Sequence, residues 1–399
     1  MKTALILPPT EASFRVVAGV PLIKRTALSA LRCGFRVVAL GREYSERLRT
    51  LFHADARTRA VEVTDNDSAS VAGADVTLVP SDRLLTVATL QRVSASTLNG
   101  RPLLFTAAGD AQVALCRAGM LDGLEIGSLS VGGAEKLWAA LRARDAEGLA
   151  LDGEVCARIT DEHSVALAET ALCERLRADS AASDGPLAHY VDRRVSWRIS
   201  RWLVRHTQLR PNHITTIGTA VGLLAAAALS HGSYWSGVAG TLLFLCTTII
   251  DGCDGEVARL TFQETRFGQR FDVITDNVVH VAIFIGLAVG LYHQNPDGHY
   301  LLLMGILLGG FACTSVVTYF FLVRRPGFAT SGGTPVSWRG KVRRRLLQGF
   351  EGLMNRDFAY LLLVLALVDR LYWFMWSTAF GTYAFAILLV WIYRWRDAT

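Results

Sequence analysis

Asp251–Asp276 reads DGCDGEVARLTFQETRFGQRFDVITD, and it closes one apolar run and opens the next. Asp251 and Asp254 are three residues apart. At about 100° per residue, Asp251, Asp254, Gly255, Ala258 and Arg259 fall within roughly 140° of arc on one helix face. Asp272 and Asp276 are four apart and share a face of the following helix. The turn Leu260–Phe267 joins the two helices as an antiparallel pair, so all four carboxylates are expected to meet in one place.

Such a meeting is costly unless something compensates it. An Asp in a spanning helix costs roughly 2.5–3.5 kcal/mol on insertion scales. Like charges some 5 Å apart repel by roughly 3 kcal/mol per pair at an effective dielectric of about 20. Divalent cations remove that repulsion, and ligands that are all carboxylate oxygens favour hard ions such as Mg²⁺ or Mn²⁺. Two such ions suit a diphosphate and the charge that develops in phosphoryl transfer. Gly255, Ala258 and Gly268 keep bulk off the acidic face, and Arg259 offers a guanidinium to a phosphate.

Outward from this stretch the chain turns apolar. Of 399 residues, 51% are hydrophobic, and from Ile214 onward come runs long enough to cross a bilayer. Six spans are predicted, at about 212–231, 235–258, 268–292, 299–323, 357–371 and 373–393. The connections His231–Trp235, His293–His299 and Asp369–Trp373 are poor in Lys and Arg; Arg193–Arg210, Arg259–Arg270, Arg324–Arg356 and Arg394–Arg396 are rich. The rich set belongs on the cytoplasmic side, which places both termini and the acidic site there in a multi-pass protein of the cell (inner) membrane. MKTALILPPTEASF has too short an apolar stretch for a signal peptide, so residues 1–200 are expected to stay cytoplasmic.

Leu187–Thr207 sets Trp197, Ile199, Trp202 and Leu203 among Arg193, Arg194, Arg198, Arg201 and Arg205, the pattern of an amphipathic helix at the headgroup level, assigned to residues 187–208. Before it, Ala178–Pro186 (ADSAASDGP) reads as a linker. Residues 1–180 alternate predicted strands (Ala4–Leu7, Arg36–Leu40, Asp75–Val79, Pro102–Phe105) with helices (Pro21–Cys33 capped by Gly34, Leu137–Arg144, Ser164–Arg177), an α/β pattern. The net charge of +6 sits beside apolar spans and without a nucleic-acid motif, so bilayer and phosphate-bearing partners are expected rather than nucleic acid. The seven cysteines lack zinc spacing and read as small buried hydrophobes. The nine histidines, His280 included, form no ligand cluster, and Ser331–Thr334 is not followed by the Gly-Lys-Ser/Thr of a P-loop. Arg324, Arg325, Arg339, Lys341, Arg343, Arg344 and Arg345 read mainly as a lipid-facing anchor, and Arg356 as a contact for an anionic acceptor.

The ungapped pattern D-x-x-D-G-x-x-A-R-x8-G-x3-D-x3-D, filled by Asp251, Asp254, Gly255, Ala258, Arg259, Gly268, Asp272 and Asp276, resembles the signature of CDP-alcohol phosphotransferases. The resemblance implies an all-α six-helix transmembrane domain over 209–399, usually a homodimer, with a pocket open to the cytoplasm. It implies Asp251, Asp254 and Asp272 as principal metal ligands, with Asp276 as the base and a further ligand. It puts Gly255, Ala258, Arg259 and Gly268 on the nucleotide site, with Asn212 and Thr215 as cytidine-side contacts. The implied reaction is attack of an acceptor hydroxyl, free or on a phosphorylated acceptor, on the β-phosphorus of a CDP-alcohol (CDP-diacylglycerol or a CDP-inositol-like donor), releasing CMP. Asn277 departs from close relatives, where Arg is expected.

The opening resembles sugar-nucleotide and cytidylyl transferases in AGVPLIKRTALSALRCG (Ala18–Gly34) and VPSD (Val79–Asp82), as in chains that fuse such a domain to the membrane enzyme. The phosphate loop those enzymes need is absent: Pro8 and Pro9 lack one N–H donor each, and Glu11 repels phosphate. An N-terminal α/β nucleotidyltransferase-like domain with little or no transfer activity is therefore expected. Two rivals to the membrane enzyme are an ion-coupled transporter and an inactive scaffold. Transporter aspartates favour the midplane, whereas these lie at the rim, and no motif position is lost.

Overall fold

Apolar residues alternate along the first strands, and each parity builds its own core. The structure, a computed structural model, describes residues 2–65, 75–107, 110–121, 133–180, 192–318 and 358–394. It divides into two compact units, Met1–Asp179 and Ser180–Thr399.

The first unit carries strands β1 (Thr3–Ile6), β2 (Val16–Val17), β3 (Val20–Pro21), β4 (Arg36–Leu40), β5 (Glu62–Thr64), β6 (Asp75–Val79), β7 (Arg83–Leu85), β8 (Leu103–Ala107), β9 (Asp110–Arg117), β10 (Glu147–Ala150) and β11 (Cys156–Arg158). Its helices are α1 (Leu22–Arg32), α2 (Ser45–His53), α3 (Val87–Ala95), α4 (Gly133–Ala143) and α5 (Glu162–Ser180). Seven strands form one mixed sheet in the order β10-β8-β9-β6-β1-β4-β5. β1 runs parallel to β4 and β6, whereas β9 is antiparallel to both its neighbours. Ala4, Ile6, Val37 and Ala39 pack against α1, α2 and α3 through Ile23, Leu48, Phe52 and Leu90. Leu5, Leu7, Val38 and Leu40 face the other way, onto Leu137, Trp138 and Leu141 of α4. The period of two thus yields a three-layer α/β/α unit. Gly34 sits at φ +78° and its N–H bonds Leu31 O, the C-cap expected after α1. Arg25, buried to 3% exposure, donates to the carbonyls of Val17 and Ala18, and burial pulls its guanidinium down to about 10. α5 extends to Ser180, so the expected linker opens inside a helix, and its residues 181–186 lie outside the described ones.

The second unit is helical: α6 (Arg193–His206), α7 (Pro211–Ser230), α8 (Tyr234–Thr261), α9 (Arg266–Gln294), α10 (Tyr300–Thr318), α11 (Phe358–Leu367) and α12 (Leu371–Arg394). Among the described residues four helices are long and apolar enough to cross a membrane: Pro211–Ser230, Tyr234–Thr261, Arg266–Gln294 and Pro296–Val317. Of the expected fifth span, 357–371, the structure describes residues from Phe358 onward, and its helix ends at Leu367. Asp369 at φ +55° then ends it, with Arg370 N–H bonding Leu365 O at 2.7 Å and Asp369 N–H bonding Ala366 O at 3.1 Å, a Schellman closure on Asp rather than Gly. Ser331–Thr334 and the basic residues Arg324, Arg325, Arg339, Lys341, Arg343, Arg344, Arg345 and Arg356 lie outside the described residues.

One apolar core joins Ala225 and Leu229 of α7, Phe244 of α8, Ile283 and Leu287 of α9, Leu307 of α10, Leu362 of α11 and Phe374 of α12. α7 and α9 approach until backbones touch. A Cβ on Gly286 would lie 2.3 Å from Ala226 O, and one on Gly290 2.1 Å from Leu229 O. Gly290→Ala must therefore push the helices apart, and overpacking of this kind costs ~1–3 kcal/mol. A lowered midpoint of thermal unfolding in detergent is the expected result, and an unchanged midpoint would contradict the close crossing.

Candidate active site

Asp251 and Asp254 lie near the C-terminal end of α8, and Asp272 near the start of α9. The turn between these helices is short because Phe262 adopts the left-handed conformation, φ 58°, and Gln263 N–H closes back on Ala258 O at 2.9 Å. Thr265 then opens α9, its hydroxyl accepting from Gly268 N–H at 2.9 Å. This hairpin brings one carboxylate oxygen from each of Asp251, Asp254 and Asp272 within 4.8 Å of one another. Asp254 is buried at 7% exposure, and Asp251 and Asp272 are half-buried. Asp276, one turn further along α9, is also half-buried but is not part of that mutual group.

The neighbouring positions fall close by. The Thr215 hydroxyl of α7 donates to Asp254 Oδ2. Asn212, on the first turn of α7, lies beside Gly268: a Cβ on Gly268 would sit 3.3 Å from Asn212 Oδ1 and 3.1 Å from Thr265 Oγ1. Gly255 is similarly overlaid, since a Cβ there would meet the Arg259 guanidinium at 3.4 Å. Ala258 is buried. Gly268 thus lets the first turns of α7 and α9 come together, and the Arg259 guanidinium lies over Gly255 one turn on.

Three anionic oxygen donors at this spacing suit a hard divalent cation better than they suit one another. The set contains neither imidazole nor thiolate.

Glu256 escaped the sequence reading. It is buried at 0% exposure and accepts from Arg193 Nη1 at 3.2 Å, Ser196 Oγ at 2.6 Å and Ser200 Oγ at 2.7 Å, all on α6. Of the arginines read on the polar face of α6, Arg194, Arg198 and Arg205 are exposed, but Arg193 turns inward at 6% exposure. The signal was present as a polar stripe, Arg193, Ser196 and Ser200, at i, i+3 and i+7.

Comparison with known proteins finds a family for part of the chain: residues 208–395 match the model of the CDP-alcohol phosphatidyltransferase family. Among curated relatives, a bifunctional IPC transferase and DIPP synthase of Archaeoglobus fulgidus is 32% identical over 142 residues, 36% of this chain and 27% of that protein. Its counterpart in Aquifex aeolicus is 33% identical over 114 residues, 29% of this chain and 25% of that protein. The matched stretches thus span about a quarter of those relatives' length. A crystal structure of Mycobacterium tuberculosis phosphatidylinositol phosphate synthase with CDP-DAG bound is also similar, at 20% identity and TM-score 0.33, covering 49% of this chain and 92% of that one.

Proposed function

We propose that the chain is an integral-membrane transferase that moves a substituted phosphate from a CDP-alcohol to an acceptor hydroxyl and releases CMP. The observation that carries this reading is the approach of Asp251, Asp254 and Asp272 to within 4.8 Å, inside the matched domain. CDP-diacylglycerol and CDP-inositol-like compounds are the donor classes. The acceptor is an alcohol, free or itself carrying phosphate. Residues 209–399 form a six-span domain in this reading, preceded by the interfacial helix 187–208, with both termini and the acidic site at the cytoplasmic face of the cell membrane and two copies per particle.

Asp251, Asp254 and Asp272 would hold Mg²⁺ or Mn²⁺, two ions in all, with Asp276 available to one of them. When bound, such ions neutralise a diphosphate and stabilise the charge that builds on its oxygens during transfer. The chain's own residues do the rest. Thr215 fixes the rotamer of Asp254 through its hydroxyl. Asn212, Thr215, Gly255, Ala258, Arg259 and Gly268 line the nucleotide end, where Arg259 donates to a phosphate oxygen. Asp276, outside the group of three, takes the proton from the acceptor hydroxyl as it attacks phosphorus. Purified protein given CDP-diacylglycerol or CDP-inositol, Mg²⁺ or Mn²⁺, and a panel of hydroxyl acceptors should release CMP with one pairing and stop on chelation by EDTA. No CMP from any pairing would end the proposal.

The first unit, nucleotidyltransferase-like in this reading, is a structural or regulatory partner of the membrane domain. Pro8 and Pro9 remove N–H donors after β1, and Asp82 of the VPSD element is paired with Arg158 at 3.0 Å. The full chain is expected to release no pyrophosphate from CTP with inositol phosphate or a sugar phosphate; turnover above background would overturn this assignment.

A further inference from the structure

The back of α8 is held as specifically as its front. At about 100° per residue, Glu256 points roughly 160° away from Asp254 and roughly 140° from Asp251 around the helix. It therefore leaves the acidic face altogether and enters α6. There it meets Arg193 Nη1 and the hydroxyls of Ser196 and Ser200, with Cys253 Sγ donating to Ser196 O at 3.6 Å beside it. An apolar patch also joins these elements: Ile214, Cys253 and Val257 pack with Leu203, Val204 and Ile250. Apolar contact is non-directional and would tolerate sliding and rotation of α6 on α8. Charge-assisted hydrogen bonds do not, because each donor must stay at its angle and distance.

We propose that Glu256 is a positioning residue. Gripped from behind by Arg193, Ser196 and Ser200, it sets the rotation of α8 that aims Asp251 and Asp254 at Asp272. The inference rests on the reading of that acidic group as a metal site. Glu256 touches neither the acidic group nor any substrate; it acts through the helix, as outer partners that orient metal ligands do. The four residues also make α6 part of the site rather than a passive membrane anchor.

Mn²⁺ binding to the full-length protein in lipid nanodiscs, followed by electron paramagnetic resonance without donor or acceptor, tests this. Ser196→Ala combined with Ser200→Ala removes two donors and leaves the ion pair with Arg193. Mn²⁺ affinity should fall about tenfold, and by at least as much in Glu256→Gln, as outer-partner losses do. Arg193→Lys, which keeps a charged donor, should stay within about threefold of wild type, a rescue that a general loss of packing would not give. Where Glu256→Gln does not fold, the serine pair decides. Wild-type affinity in the serine double variant overturns the role of Glu256. Absence of Mn²⁺ binding to the wild type overturns the metal reading instead. Amide hydrogen exchange over Asp251–Arg259 then judges the clamp alone: faster exchange in the serine variant supports it, and unchanged exchange overturns it.

Discussion

Asp254→Asn should lower CMP release by about 10³-fold, the scale on which a preorganised charge-stabilising group counts in a water-poor site. Asp254 is the most buried of the three clustered acids, and its carboxylate is also held by a neighbouring helix, through Thr215. Asparagine keeps the shape but removes a negative charge and turns an N–H₂ group toward Asp251 or Asp272. Divalent-ion affinity therefore falls together with turnover, and the concentration of Mg²⁺ or Mn²⁺ needed for half-activation rises. Thr215→Val, which deletes only the hydroxyl, should cost less, about tenfold, the value of a hydrogen bond to a charged group. Adding it to Asp254→Asn should cost almost nothing more, because the two side chains share one interaction. Full turnover in Asp254→Asn would mean that the acidic hairpin is not where the chemistry happens.

Asp276→Asn should cost about 10²–10⁴-fold in turnover, the range for a general base. The informative companion measurement is Mn²⁺ binding. Asp276 lies outside the mutual 4.8 Å group, so a base that is not an essential ligand loses turnover while Mn²⁺ affinity stays within a few-fold of wild type. A loss of affinity as deep as in Asp254→Asn would make Asp276 chiefly a ligand. Retained turnover would remove it from the mechanism.

The acidic site was legible because its logic is periodic and local. Spacings of three and four put Asp251 with Asp254 and Asp272 with Asp276, and a short turn then brings the two helices face to face. Where side chains end within a face was less legible. Thr215, read as a cytidine-side contact, has its hydroxyl on Asp254, and Asp276 shares a helix with Asp272 without joining its cluster. The sheet was readable at strands such as Thr3–Ile6 and Arg36–Leu40, apolar on both faces, but Asp110–Arg117 was not read, although Val113–Cys116 is equally apolar on both faces. Short strands such as Val16–Val17 carry no such signal. The connection Asp369–Trp373 was readable, but α11 ends at Leu367, short of the expected 371, because Asp369 adopts the left-handed cap usually left to glycine. Glu256 was missed because its partners lie some sixty residues earlier, in a helix whose arginines draw attention to the surface.

The brevity of the bend at Phe262 has a consequence for biosynthesis. Fewer than twenty residues of chain separate Asp254 from Asp272, so their encounter belongs to the class of short-range closures that complete in well under a millisecond. The ribosome adds a residue in about 0.05–0.2 s. The nascent hairpin therefore has time to bring its acidic side chains together while α11 and α12 are still untranslated, and those helices arrive against a hairpin that already exists.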